Sequence, residues 1–327
     1  MSVSREAFEL TLRQFFAPLD TLLADASVAE VLVNSWNEVY VERDGVLVRT
    51  DAAFASEFDL IAALTNLAQS VGRTLDPAHP MLEAKLPDGS RVQALMPPAV
   101  LAGPCLAIRC AKTKDVSLAS FVDSGLEGER LSALLRECVA QQHNTIICGG
   151  SASGKTSLLR AFISLMEPTE RVITIEHVAE LRTTSHHAIQ LQGGDETADP
   201  SLATTLVALL RAALRMRPDR IVVGELRGGE AAELIAAMSS GLKGCIATLD
   251  SMGPEDALLA LELLARKEFP NISACGLAKR IASAIDTIVH VARGPGAGRT
   301  VVRVSKVCGW TKDSRYRLEE RFRRQSC

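Results

Sequence analysis

Over the first 110 residues, short runs alternate apolar with polar positions. Ala29-Glu30-Val31-Leu32-Val33-Asn34 and Val39-Tyr40-Val41-Glu42 carry the period of two that predicts strands, and Asp44-Gly45 predicts a tight turn into Val46-Leu47-Val48. From 58 to 71 the period becomes helical, with Leu60, Ile61, Leu64 and Leu67 on one face. A second hairpin is expected from 82–86 to 91–96 through Asp88-Gly89, then a strand at 106–109, and a helix over 4–23 is broken at Pro18. These elements describe a mixed α/β domain.

Past the polar stretch 111–115, read as the linker, helices alternate with apolar runs at 145–148, 172–176, 220–224 and 245–249. That alternation predicts a parallel sheet with crossover connections. Runs at 285–291 and 301–307 follow, separated by Gly294-Pro295-Gly296-Ala297-Gly298. Two α/β domains result, at 1–112 and 113–327. The final thirty residues carry nine Lys/Arg against three Asp/Glu and read as a solvated tail.

Composition narrows the class. With 47% hydrophobic and 23% charged residues the chain has enough apolar material for two cores. No apolar run is long enough to span a bilayer, and the start lacks a signal-peptide pattern. A net charge of −3 gives no general pull toward nucleic acid, and Trp36 and Trp310 lack the aromatic company of a base-stacking platform. The eight cysteines form no C-x-x-C pair and lie mostly in apolar runs, so a reducing, cytoplasmic setting is expected rather than zinc or disulfides. His186-His187 lacks the Cys, Asp or Glu neighbours that would complete a metal site.

The chemistry concentrates at Gly149-Gly150-Ser151-Ala152-Ser153-Gly154-Lys155-Thr156, which follows an apolar strand and precedes an apolar-periodic helix beginning at Ser157. Strand, G-x-x-x-x-G-K-T loop and helix in that order predict a site for a nucleoside triphosphate. Loop amides and the positive helix end take phosphate oxygens, Lys155 reaches the terminal phosphates, and the Thr156 hydroxyl holds Mg²⁺. Ligands of open α/β sheets lie at the carboxyl ends of strands, so the acids there matter. Glu176, His177 and Glu180 follow one strand, Glu225 the next, and Asp250 a third. Glu225 suits the metal shell and Glu180, on a loop, suits orienting or deprotonating water. A helix over 201–217 puts Arg211 and Arg215 on one face, either solvated or reaching a neighbouring subunit's phosphate.

These motifs resemble the bacterial traffic ATPases of type II and type IV secretion and pilus assembly, most closely the tight-adherence and conjugative types. The match runs over nearly the whole chain, through 23–34, 39–43, 86–92, the phosphate loop, the acidic box Ile173-Thr174-Ile175-Glu176-His177-Val178-Ala179-Glu180, and the Walker B segment at 214–225. The resemblance implies a RecA-like P-loop ATPase domain preceded by a smaller PAS-like mixed α/β domain. It implies a homo-hexamer that hydrolyses ATP with Mg²⁺, works in the cytoplasm at the inner membrane, and docks on a membrane platform protein. Lys155, Glu180 and Glu225 take the catalytic roles, with Thr156 and Glu225 at the metal. Arg91 and Arg109 of the first domain meet the phosphates, Arg215 lies near the site or a subunit boundary, and Gly149–Ser157 hold the nucleotide. Three positions depart from the pattern: His177 stands for an aspartate, and Leu242 and Asp250 stand for the two histidines of the histidine box. A carboxylate near the terminal phosphate costs on the order of 4 kcal/mol unless Mg²⁺ or arginine offsets it, roughly a thousandfold in rate, so slow or lost hydrolysis is expected more readily than lost nucleotide binding. The motor reading therefore competes with that of a poorly hydrolysing or non-hydrolysing nucleotide-binding subunit. A DNA-dependent translocase has only the basic tail in its favour.

Overall fold

The computed structural model describes residues 15–43, 46–86, 89–110, 117–122, 125–178, 180–181, 187–193, 205–293, 298–311, 313 and 315–324. The linker 111–115, the turns at Asp44-Gly45 and 294–297, Asp88, His186, residues 4–14 of the first helix and 201–204 of a later one lie outside them. The chain divides into two compact units, Met1–Lys114 and Asp115–Cys327.

In the first unit a single 3-10 turn at Ala17–Leu19, with Pro18 at its start, leads into α1 (Asp20–Ala24). Strands β1 (Val28–Ser35), β2 (Glu38–Arg43) and β3 (Val46–Arg49) precede α2 (Glu57–Ser70), and β4 (Met81–Lys85), β5 (Arg91–Leu95) and β6 (Cys105–Arg109) follow it. They form one antiparallel sheet in the order β3-β2-β1-β6-β5-β4. Alternation does the work here: Val31 and Val33 of β1, Val39 and Val41 of β2 and Ile108 of β6 are buried with Leu60, Leu64 and Leu67 of α2. The Ser56 hydroxyl caps α2 by accepting from the amide of Asp59.

The second unit opens with a 3-10 turn at Leu118–Phe121 and α3 (Leu126–Ala140). Then come β7 (Thr145–Gly149), α4 (Lys155–Ile163), β8 (Val172–Glu176), β9 (Ala188–Gln192), α5 (Leu206–Leu214), β10 (Arg220–Val223), α6 (Glu230–Ser239) and β11 (Ile246–Asp250). Helices α7 (Pro254–Arg266) and α8 (Ala274–Ala284) lead to β12 (Thr287–Arg293), β13 (Arg299–Trp310) and β14 (Tyr316–Arg323). The sheet order is β14-β13-β12-β7-β11-β10-β8-β9. Strands β12 through β9 of that order run parallel, whereas β12–β13 and β13–β14 pair antiparallel, so the sheet is mixed at one edge. Strands of the centre are buried on both faces: Ile146 and Cys148 face α5–α8, while Ile147 faces α3 and α4.

Two expectations are corrected. Most of the basic C-terminal stretch is strand: β14 pairs with β13, its charges answered across the ladder by Lys306↔Glu319 and by Arg303, which meets Glu320 at 3.1 Å. The helix expected over 201–217 spans Leu206–Leu214, ending where Arg215 caps it and Pro218 follows. Trp310 packs edge-on to Tyr316 beside the α7 cluster, a core contact.

At the lower end of the sheet Asn144 ties three segments together. Its amide group donates to the carbonyls of Leu242 and Ala284 and accepts from the N–H of Cys245, while its own N–H donates to Asp286. β7 is thereby pinned at its start, opposite the end that carries the glycine loop.

Candidate functional site

The loop Gly149–Gly154 turns the chain from β7 into α4 without a spare atom. A Cβ at Gly149 would sit 2.2 Å from the carbonyl oxygen of Val291, a backbone atom that cannot step aside. Gly154 has φ +104°, in the left-handed region, and sets the first turn of α4 so that the amides of Lys155, Thr156 and Ser157 have no partners within the helix. Lys155 is 8% exposed, and its Nζ donates back to the carbonyls of Gly149 and Gly150 at 3.1 and 2.8 Å. The hydroxyl of Ser153 is buried among these groups with no hydrogen-bond partner, an unusual cost for a polar atom. A ring of donors, an orphan hydroxyl and a helix N-terminus together fit a polyphosphate. Beneath them burial pushes the Cys148 thiol up to about 12, so it stays neutral.

The acids gather on one flank of β7. Asp250, the residue paired with Gly149 across β7–β11, places Oδ1 2.5 Å from the Lys155 ammonium. Glu225 follows β10 and is bridged by Arg227, Nη2 to Oε2 2.7 Å. Hydrogen bonding to Glu225 holds the Arg227 pKa above its ordinary value, and the charges of Asp250 and Glu230 add to this. The segment is fixed from two sides. Thr248 donates its hydroxyl to the Gly224 carbonyl at 2.5 Å, and the buried Glu230 carboxylate accepts from the amides of Arg227 and Gly228. Glu230 had not been singled out; its place at the start of α6 after Gly228-Gly229 is the signal that finds it.

Glu176, buried at the end of β8, accepts from the amides of Glu180 and Leu181. Burial raises its pKa above the ordinary carboxylate value, with the neighbouring Glu180 charge acting the same way. Glu176 thus braces the backbone at Glu180 and Leu181. A Cβ at Gly224 would meet Glu176 Cγ at 2.9 Å, so β8 and β10 approach closely where their acids emerge. His177, next in the chain, is exposed.

Other expected residues fall elsewhere. Arg91 and Arg109 belong to the first unit, where they are direct register partners across β5–β6. Arg211 is ion-paired to Glu233 of α6 at 2.6 Å, and Arg215 lies one residue past α5. Leu242 bonds Asn144 at the start of β7, about 16 Å from the loop along a five-residue strand. Its substitution removes no group beside Lys155 within this unit. Two arginines that sequence reading passed over stand beside the loop: Arg299 Nη1 donates to the Ser157 hydroxyl at 2.9 Å, and Arg293 Nε to the Ala152 carbonyl at 3.3 Å.

A Mg²⁺ carried by a nucleotide keeps most of its shell as phosphate and water. Thr156 stands in the first turn of α4, and Glu225 follows β10, two strands from β7 in the sheet order. Among the described residues no group of three or more His, Cys, Asp or Glu is arranged to hold a metal by itself.

The sequence matches the model of the type II/IV secretion system proteins over residues 13–313. The chain belongs to that family. Relatives include the type IV secretion system protein PtlH of Bordetella pertussis, 33% identical over 320 residues, spanning 89% of this chain and 92% of PtlH. The conjugal transfer protein TrbB of Rhizobium radiobacter is 30% identical over 303 residues, covering 91% and 88%. Among solved structures the Legionella pneumophila ATPase DotB superposes with a TM-score of 0.58 at 19% identity, over 88% of this chain and 79% of DotB. That likeness carries the fold: a RecA-like domain after a smaller α/β domain. Among the described residues no helix is long and apolar enough to cross a membrane.

Proposed function

We propose that the protein is an ATP hydrolase that powers a type II/IV secretion or pilus-assembly machine, acting as a homo-hexamer on the cytoplasmic side of an inner-membrane platform protein. The observation that carries this reading is the loop itself, with the buried Lys155 at the start of α4; it is supported by Glu180 and Glu225 following β8 and β10, which lie beyond β11 on one side of β7. Lys155 binds the terminal phosphates, Glu225 with Thr156 holds the metal shell, and Glu180 takes the proton of the attacking water. Mg²⁺, when bound, neutralises charge on the β- and γ-phosphates. Arg91 and Arg109 are assigned to the phosphates, and Arg215 to the nucleotide site or a subunit boundary, on the strength of the family resemblance.

A second reading has its own support. Asp250 holds Lys155 and Arg227 holds Glu225, so a nucleotide and its metal compete with ion pairs for two of the working groups. A subunit that binds nucleotide and turns it over slowly is consistent with this. Phosphate release by the purified protein, with Lys155→Ala as the blank, tests the motor reading; equal rates overturn it and leave the slow subunit.

A further inference from the structure

The sheet order sorts charge about β7. On one side lie β11, β10 and β8, bearing Asp250, Glu225 and Glu176; on the other lies β12, parallel to β7 and continuing to Arg293. β13 returns antiparallel with Arg293 opposite Arg299, so one hairpin delivers two guanidinium groups to the other flank of β7. Their placement is specific. The Arg299 stem lies over Gly154 so closely that a Cβ there would meet Cδ at 2.7 Å, and its Nη1 reaches the Ser157 hydroxyl. Arg293 reaches the Ala152 carbonyl on the loop crest.

Helix geometry says which end of a phosphate chain these groups face. Lys155 and Ser157 are two residues apart on α4, about 200° around its axis. Lys155 turns toward Asp250 on β11, and Ser157 toward the β12–β13 hairpin. The lysine of such a loop serves the β- and γ-phosphates. The opposite flank therefore receives the α-phosphate and the nucleoside.

We propose that Arg299, seconded by Arg293, is a nucleotide-binding residue that grips a 5′-nucleoside di- or triphosphate at its α-phosphate. The inference rests on the phosphate-loop reading above. Lys155 shares its charge with Asp250, and a guanidinium on the other flank supplies charge-assisted hydrogen bonds that lysine does not give in full. Because the α-phosphate is common to ADP and ATP, the two arginines act on binding of both alike and leave the chemical step alone.

Titration calorimetry with ADP and with a non-hydrolysable ATP analogue tests this on the full chain. Arg299→Met keeps the stem over Gly154 and removes the guanidinium. It should weaken both ligands by the same factor, about tenfold or more. Arg299→Lys should recover part of the loss. Arg293→Ala, at an exposed position without the stem contact, should give a smaller loss in the same direction and guards against a fold defect in the first variant. Unchanged affinity, or a loss confined to the triphosphate, overturns the proposal while leaving the loop reading intact. Failure of the unaltered protein to bind either nucleotide overturns both, and a Lys155→Ala blank identifies that case.

Discussion

Asp250 closes on Lys155 from the neighbouring strand, carboxylate Oδ1 to ammonium Nζ at 2.5 Å, with the lysine side chain 9% exposed and the aspartate 57%. The pair is lopsided: a sheltered cation and a solvated anion. Its contribution to stability is small for that reason, but its position matters, since the arriving triphosphate competes for the same ammonium.

Asp250→Asn removes the competitor and a negative charge from the mouth. Screening by solvent at Asp250 puts the gain toward the lower end of the Coulomb range, so ATP should bind roughly tenfold more tightly. Calorimetry reads it, and an unchanged Kd would show that the ion pair is irrelevant to binding.

Glu176→Ala removes the acceptor for the amides of Glu180 and Leu181. The backbone at Glu180 loses its brace, and if Glu180 is the general base proposed above, turnover should fall about a hundredfold, near the lower bound for misplacing such a group. ATP affinity should hold, because the Glu176 carboxylate spends its hydrogen bonds on the amides of Glu180 and Leu181. A KM that rises as steeply as kcat falls would contradict the assignment.

Gly149→Ala drives a methyl into the Val291 carbonyl. Overpacking against backbone costs on the order of 2 kcal/mol, and the distortion falls on the strand end that carries the loop. Chemical denaturation should show the loss, accompanied by loss of nucleotide binding.

Glu170 and Arg220 give the clearest pH effect. Burial works to raise the Glu170 pKa, but hydrogen bonds from Arg220 and Gln142 outweigh it and hold the carboxyl below the ordinary glutamate value. The stabilisation is present above the unfolded-state pKa and is lost as pH falls through the depressed folded one. Glu170→Ala strands an arginine whose side chain is 3% exposed, at a cost of about 3 kcal/mol. In melting curves from neutral to acid pH, the variant should start lower and lose less on acidification than the unaltered protein.

The hydrophobic periods made the strands at 145–149, 172–176 and 220–223 legible, because strands buried on both faces read as continuous apolar runs. β14 was hidden for the opposite reason. Tyr316–Arg323 is an edge strand dressed in charge, which protects an edge from pairing with other chains and makes it look like a tail. The loop was legible because its chemistry is local: glycines, lysine and threonine at fixed spacing. Arg299 was not, since it lies 142 positions from Ser157 and only the return of β13 brings them together. Asp250 was visible as a residue of interest, but its engagement with Lys155 depends on the β7–β11 register, which no spacing within one strand encodes.

Asn144 is the knot at the other end of β7, where one side-chain amide joins the starts of separate strands. A sheet moored at its floor in this way cannot breathe evenly. Amide protons near Asn144 should be the last to exchange with deuterium, and those of the phosphate mouth among the first, so that any working stroke bends the rim of the sheet and leaves its foundation still.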